Sequence, residues 1–230
     1  MPLSTVYINF PSRESRSRFV ATRFNEYLNE SVLDVGCFEA PLRDLLRSAS
    51  YTGIDIAGQP DLTVNLEGID RLPFADNAFR CVLCIDVLEH LDNLHSIFAE
   101  LVRVSERFII VSLPNCWCDA RRPLERGKGH FSHYGLPLHK PEDRHKWFFS
   151  FTEARQFIEA KAEELHLSIE DIFIAEKPRN RILRLLRKIR YLGDQYHNRY
   201  SRTLWVVLGK LPANSSIEPV TSADAHKPHR

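Results

Sequence analysis

No stretch of about 18 consecutive apolar residues occurs anywhere in the 230-residue chain, so a membrane-spanning helix is not expected. The first fifteen residues, MPLSTVYINFPSRES, contain no apolar core of the kind that directs export, which argues against secretion. Cysteines number five, an odd count, and most sit inside apolar runs. That usage fits a reducing, cytoplasmic setting better than a disulfide framework. Net charge is almost absent, at +1, and there is no internal repeat. What charge there is, however, is unevenly placed. Residues 177–202 hold nine basic side chains and one acid, leaving 22 basic and 29 acidic residues elsewhere, a balance of −7. A basic element on an acidic body suggests a local anionic partner rather than steering by the whole molecule.

What the chain does have is an ordered series of short apolar runs alternating with helical patterns. Strands are expected at about 31–35, 51–56, 61–66, 80–85, 107–113, 168–175 and 203–209. Helices are expected at about 15–29 (Phe19, Val20, Phe24 and Leu28 on one face), 40–49, 93–104 and 152–165, the last with Thr152 as N-cap. This alternation predicts an α/β fold with a Rossmann-like, mostly parallel seven-stranded sheet and helices on both faces. The expected organisation is an N-terminal helical segment (1–30), a main domain (31–211) and a disordered tail (212–230). The main domain carries two insertions, a lid at 114–149 and a basic helical segment at 178–201. Proline, glycine and histidine dominate the lid, yet its five tryptophan and phenylalanine residues argue against simple disorder.

Three segments carry the functional signal. VLDVGC (32–37) is an apolar run ending in a glycine turn. YTGIDI (51–56) places Asp55 nineteen residues beyond Gly36. LPFADNAFRCVLCIDVLEHL (72–91) leads from an amphipathic loop through a buried strand to Asp86, Glu89 and His90. In open parallel sheets a ligand sits at the carboxyl ends of the strands, with an acid about 20 residues past the glycine turn on the ribose hydroxyls.

Taken in this order, the segments resemble the class I S-adenosylmethionine-dependent methyltransferases, particularly the small-molecule members of the methyltransferase-11 and -23 type. The resemblance spans about residues 15–113, with a looser match at 150–210. It implies S-adenosylmethionine as cofactor and, in the sheet, an antiparallel last strand. Asp34, Gly36 and Cys37 would then form the first cofactor turn, with Asp34 reaching the cofactor's amino group. Asp55 and Ile56 would meet the ribose, Asn65 and Leu66 the adenine, and Cys84 and Ile85 would offer backbone groups to the adenosine. The family usually continues its first turn with further glycines, where this chain has Phe38 and Ala40. A Cβ at those places obstructs close backbone approach, so Phe38 must turn outward or the methionine half of the cofactor must sit differently.

His90 is the candidate general base, because an unperturbed imidazole accepts a proton near neutral pH; a histidine merely packed beneath the lid is the alternative. His130, His133, Tyr134, Arg144, His145 and Trp147 are candidates to line a substrate pocket. Cys116, Cys118, His130 and His133 raise the thought of zinc, but C-x-C is tighter than usual zinc spacing, and no metal is assigned. Residues 181–192, RILRLLRKIRYL, form a basic amphipathic helix. It would lie on an anionic membrane, or else pack its apolar stripe on the sheet. A nucleic-acid surface is disfavoured, since aromatic interleaving is sparse.

The expected activity is methyl transfer to an oxygen or nitrogen of a small, lipid-linked or glycan-linked acceptor. An inactive, methyltransferase-like scaffold is the rival reading, and an RNA methyltransferase ranks last.

Overall fold

The computed structural model describes residues 3–46, 50–131, 133–139 and 144–210. Eight strands form one sheet: β1 (Ser4–Tyr7), β2 (Ser31–Val35), β3 (Ser50–Asp55), β4 (Leu62–Thr63), β5 (Phe79–Ile85), β6 (Ser105–Pro114), β7 (Leu167–Glu176) and β8 (Ser201–Lys210). Their spatial order is β1-β7-β8-β6-β5-β2-β3-β4. β8 runs antiparallel to both β6 and β7, and every other pairing is parallel. The carboxyl ends of β1, β2, β3, β5, β6 and β7 therefore share one edge.

Side chains alternate across the sheet, so the central strands feed two cores. On one face Leu33, Val35, Val82, Ile109 and Val111 pack with α2 (Leu94–Val104) and α4 (Phe151–Glu164). On the other, Val32, Cys81, Leu83, Ile110 and Val207 pack with α1 (Arg13–Arg23) and with Leu42 and Leu46. Trp205 and Phe173, both wholly buried, stack in parallel on this second face, with Phe24 against them.

Several expectations are corrected. β1 is an eighth strand, added parallel to β7; its four residues carry no fully buried side chain, so no alternation marks it. The helix expected at 40–49 is, among the described residues, a single 3-10 turn at Arg43–Leu45. Ala40 there takes a left-handed backbone (φ +49°) just before Pro41, which defers any helical start. The lid begins as a helix, α3 (Cys116–Arg126), with Pro123 inside it. The cap of α4 is Ser150, not Thr152: Ser150 and Glu153 exchange hydrogen bonds in a capping box. Within the basic insertion lie α5 (Arg181–Arg190) and α6 (Asp194–Tyr200). The tail expected at 212–230 lies outside the described residues. Among the described residues no helix is long and apolar enough to cross a membrane.

Candidate functional site

The glycine turn leaves β2 at the shared carboxyl edge. Gly36 has φ +79°, and a Cβ on it would meet a methyl of Val87 at 2.3 Å, so both conformation and space require glycine. Phe38 and Ala40 also take left-handed φ, +48° and +49°. The backbone thus follows a path glycines would take freely, although side chains are attached. The Phe38 ring is turned away from the turn and lies under the guanidinium of Arg13, 4.3 Å from its carbon. Gly58 (φ +84°) closes from the other side, where a Cβ would meet the Phe38 carbonyl at 2.4 Å.

Asp55 ends β3 and braces this turn. Its two carboxylate oxygens accept from the Phe38 amide (2.8 Å) and the Ala57 amide (3.1 Å). Asp34 is buried, and Tyr51 donates its hydroxyl to it at 2.7 Å. Loss of water outweighs that bond, and the carboxyl is pushed up to about 6. Cys37 is buried beside it, its thiol pushed up to about 12 by burial and the neighbouring acids, and is no nucleophile.

Arg16, which the sequence gave no reason to single out, reaches from α1 to form an ion pair with Asp86. Asp86 has φ +52°, and its carboxylate also accepts from the Ser112 hydroxyl at 2.5 Å. Arg16 is also close enough to draw the Asp34 carboxyl electrostatically. A buried acid, a strand-end acid and a guanidinium surround one glycine turn. That donor set suits a zwitterionic amino acid attached to a nucleoside: carboxylates for ammonium and ribose hydroxyls, guanidinium for a carboxylate.

The remaining predicted cofactor residues are placed as follows. Ile56 is exposed, Cys84 is buried in the core, and Ile85 is half-buried at the end of β5. Asn65 caps a short 3-10 turn by accepting from the Glu67 amide (3.2 Å), while Leu66 packs into the core.

Beneath the lid the structure brings together Glu89, His90, His133, Tyr134 and His145. Glu89 is 1% exposed, and one carboxylate oxygen lies 3.9 Å from His90 Nε2. His90 and His145 meet edge to face at 4.5 Å, and His133 stacks on His145 at 4.1 Å. The lid limb is strapped down over residues 89–92. The Lys146 amide donates to the Glu89 carbonyl (2.8 Å), Trp147 Nε1 to the Leu91 carbonyl (2.7 Å), and Lys146 Nζ binds Asp92 and Glu67. Arg144 contributes its backbone carbonyl to His90, and its side chain is exposed; His130 is exposed as well.

Cys116 is buried and accepts from the Tyr134 hydroxyl, while burial pushes the Cys118 thiol up to about 11. Among the described residues, the group whose ligand atoms all lie within 4.8 Å of one another is Glu89, His90 and His145.

α5 does not pack its apolar stripe on the sheet, the second of the two orientations expected for it. Its apolar stripe faces outward: Ile182, Leu185, Leu186 and Ile189 are 58–69% exposed, and Leu192 just beyond is 74% exposed. Its basic residues turn onto tyrosines of the body. Arg184 covers Tyr7 at 3.8 Å, Arg187 covers Tyr200 at 4.4 Å, and Lys188 lies 5.5 Å from the Tyr196 ring. Below them Tyr196 donates to the buried Glu176, which ends β7.

Comparison with known proteins agrees with this geometry. Residues 33–107 match the methyltransferase domain family. Comparison with curated protein sequences gives no match. Among solved structures, the small RNA methyltransferase HEN1 superposes with a TM-score of 0.57 at 16% identity, covering 95% of this chain. The present chain spans 27% of that one. An S-adenosylmethionine-dependent methyltransferase from Archaeoglobus fulgidus gives 0.52 at 15% identity, covering 86% of this chain and 95% of its own. The [4+2]-cyclase SpnF gives 0.54 at 14% identity, covering 90% and 87%. These likenesses concern fold; the cyclase shows that such a fold also hosts other reactions.

Proposed function

We propose that this chain, whose residues 33–107 match the methyltransferase domain family, moves the methyl group of S-adenosylmethionine to an acceptor on an anionic membrane. The acceptor is a hydroxyl or amine of a small, lipid-linked or glycan-linked molecule. When bound, the cofactor supplies an electrophilic methyl on sulfur. Ionised Asp34 takes its ammonium, Arg16 its carboxylate, and Asp55 its ribose hydroxyls, while the turn at Gly36 lets backbone come close. The left-handed backbone at Phe38 and Ala40, with the Phe38 ring held under Arg13, answers the steric objection that favours an inactive scaffold.

A charged methyl donor needs little acid assistance, so positioning and exclusion of water supply most of the rate. The strapped lid does the excluding. His90 Nδ1 stands 3.1 Å from the Arg144 carbonyl, which can only accept. The proton therefore sits on Nδ1, and Nε2 carries the ring's lone pair.

The observation that carries the membrane part is the outward apolar stripe of α5, on the same sheet edge as the cofactor turn. Lys177, Arg179, Arg181, Lys188 and Arg190 are exposed around it. Apolar residues flanked by cations suit the boundary between acyl chains and anionic headgroups, where each cation contributes about 1 kcal/mol. An RNA surface would instead interleave its cations with aromatic rings for base stacking and would not leave an aliphatic stripe uncovered.

Calorimetry with S-adenosylhomocysteine tests the cofactor site. The wild type should bind, and Asp55→Ala should weaken binding at least about tenfold, the loss of one or more charge-assisted hydrogen bonds. No binding by folded wild type would put the scaffold reading in its place. His90→Gln should lower turnover far more than cofactor affinity.

A further inference from the structure

We propose that Glu89, His90 and His145 form a binding site for one divalent transition-metal ion beneath the lid, where it would hold the acceptor oxygen. Three observations carry this. First, the ligand atoms are of the right kind and close together: one carboxylate oxygen and two imidazole nitrogens, all within 4.8 Å of one another. Ligands about 2.1 Å from a shared ion stand roughly 3–3.5 Å apart, so small side-chain rotations complete the set.

Second, the outer nitrogens are already fixed. His90 Nδ1 donates to the Arg144 carbonyl at 3.1 Å, which leaves Nε2 as the ligating atom. His145 Nδ1 is 2.7 Å from the Tyr134 hydroxyl oxygen, which can accept from it because its own proton goes to the Cys116 sulfur at 2.6 Å or the Trp147 carbonyl at 3.1 Å. A histidine that gives its far N–H to a fixed oxygen is the usual arrangement of a metal ligand.

Third, Glu89 is a carboxylate buried to 1% exposure under two histidines, on a 3-10 turn anchored by the lid's backbone through Lys146 and Trp147. Two imidazoles among three ligands favour an ion such as manganese, cobalt or zinc over magnesium or calcium. The three residues leave the remaining coordination positions to an acceptor and water.

The presence of the ion does not depend on the methyl-transfer reading, but its role rests on it. Coordination lowers the pKa of a bound hydroxyl, as it brings that of bound water down to near neutrality. The acceptor O–H bond then breaks with its proton passing to water. The oxygen lone pair forms the new C–O bond, and the C–S electron pair returns to sulfur, leaving S-adenosylhomocysteine. His90 thus acts through ligation and is not itself the base.

The test is a cobalt(II) titration of the full chain, freed of any affinity tag and pre-treated with chelator, followed by visible absorption and by calorimetry with manganese(II). One equivalent should bind with the spectrum of mixed nitrogen and oxygen ligation. His145→Ala and Glu89→Gln should each weaken it at least about tenfold, the loss expected on removing a ligand. S-adenosylhomocysteine binding should survive in both variants, as proof that they fold. No stoichiometric cobalt binding by wild type that still binds S-adenosylhomocysteine, or equal binding by both variants, would overturn the site. Cobalt binding lost in the variants, in a protein that binds no S-adenosylhomocysteine, would support the site while overturning the methyl-transfer reading.

Discussion

At Asp34 burial works against ionisation. Burial lifts its carboxyl to about 6, above the ordinary carboxylate value, so the folded protein holds that proton more tightly than the unfolded chain does. Its contribution to stability is therefore greatest below pH 4, falls as pH rises toward 6, and is flat above that. In Asp34→Asn this slope should vanish. Urea unfolding should show the variant gaining on wild type by on the order of 2 kcal/mol between pH 4 and pH 7.5. Cofactor affinity should move oppositely, rising in wild type as Asp34 ionises and staying low and pH-independent in the variant; calorimetry at both pH values checks this. Gly36→Ala should cost about 1–3 kcal/mol from its left-handed φ and its collision with Val87, read as a lowered melting temperature that Val87→Ala partly restores. The positions of Asp34, Gly36 and Asp55 around one turn were legible in the sequence because they follow from strand ends and spacing. Arg16 was not, since its partner Asp86 lies 70 residues away and only the packing of α1 brings them together.

Among the elements, the apolar runs marked the central strands to within two residues, since strands covered on both faces read as unbroken apolar segments. The lid helix α3 was hidden by Pro123, although Asn115 before it and Gly127 after it are cap residues that mark its ends. α5 teaches a different lesson. Its periodicity gave the helix and its stripe, but periodicity cannot say which face meets the protein. The tyrosines at 7, 196 and 200 decided that by accepting the basic side chains over their rings. Because the stripe is already in water, Leu185→Glu combined with Ile189→Glu should leave the melting temperature almost unchanged, as exposed substitutions usually do. The same double variant should lose co-sedimentation with vesicles rich in anionic lipid. Wild type should bind those vesicles but not neutral ones, and less well at high salt. Equal binding by wild type and variant would discard the membrane assignment.

For the molecule as a whole, the mostly parallel sheet followed from the alternation of elements and the antiparallel last strand from the family resemblance, while the strand order was not read from the sequence and β1 escaped because four partly exposed residues offer no pattern. Yet β1 matters to the whole, since it leads into α1 and so carries Arg13 and Arg16 to the cofactor turn. Ligand binding should therefore stabilise the chain globally. S-adenosylhomocysteine at a hundred times its Kd should add about 2.7 kcal/mol, or roughly 5–10 °C in melting temperature. A scanning calorimetry trace that does not move under those conditions would contradict binding to the native fold.

The two borders of the sheet have a consequence for life in a crowd. An open sheet leaves a row of unsatisfied amides and carbonyls along each outer strand, to which a neighbour can add its own. Here those strands are β1, of four residues, and β4, of two. Molecules gathered side by side on a bilayer meet far more often than in free solution, and longer borders would invite them to zip together. Such short ones give a neighbour almost nothing to grip, so crowding on a surface of the kind proposed above would not of itself join these sheets edge to edge.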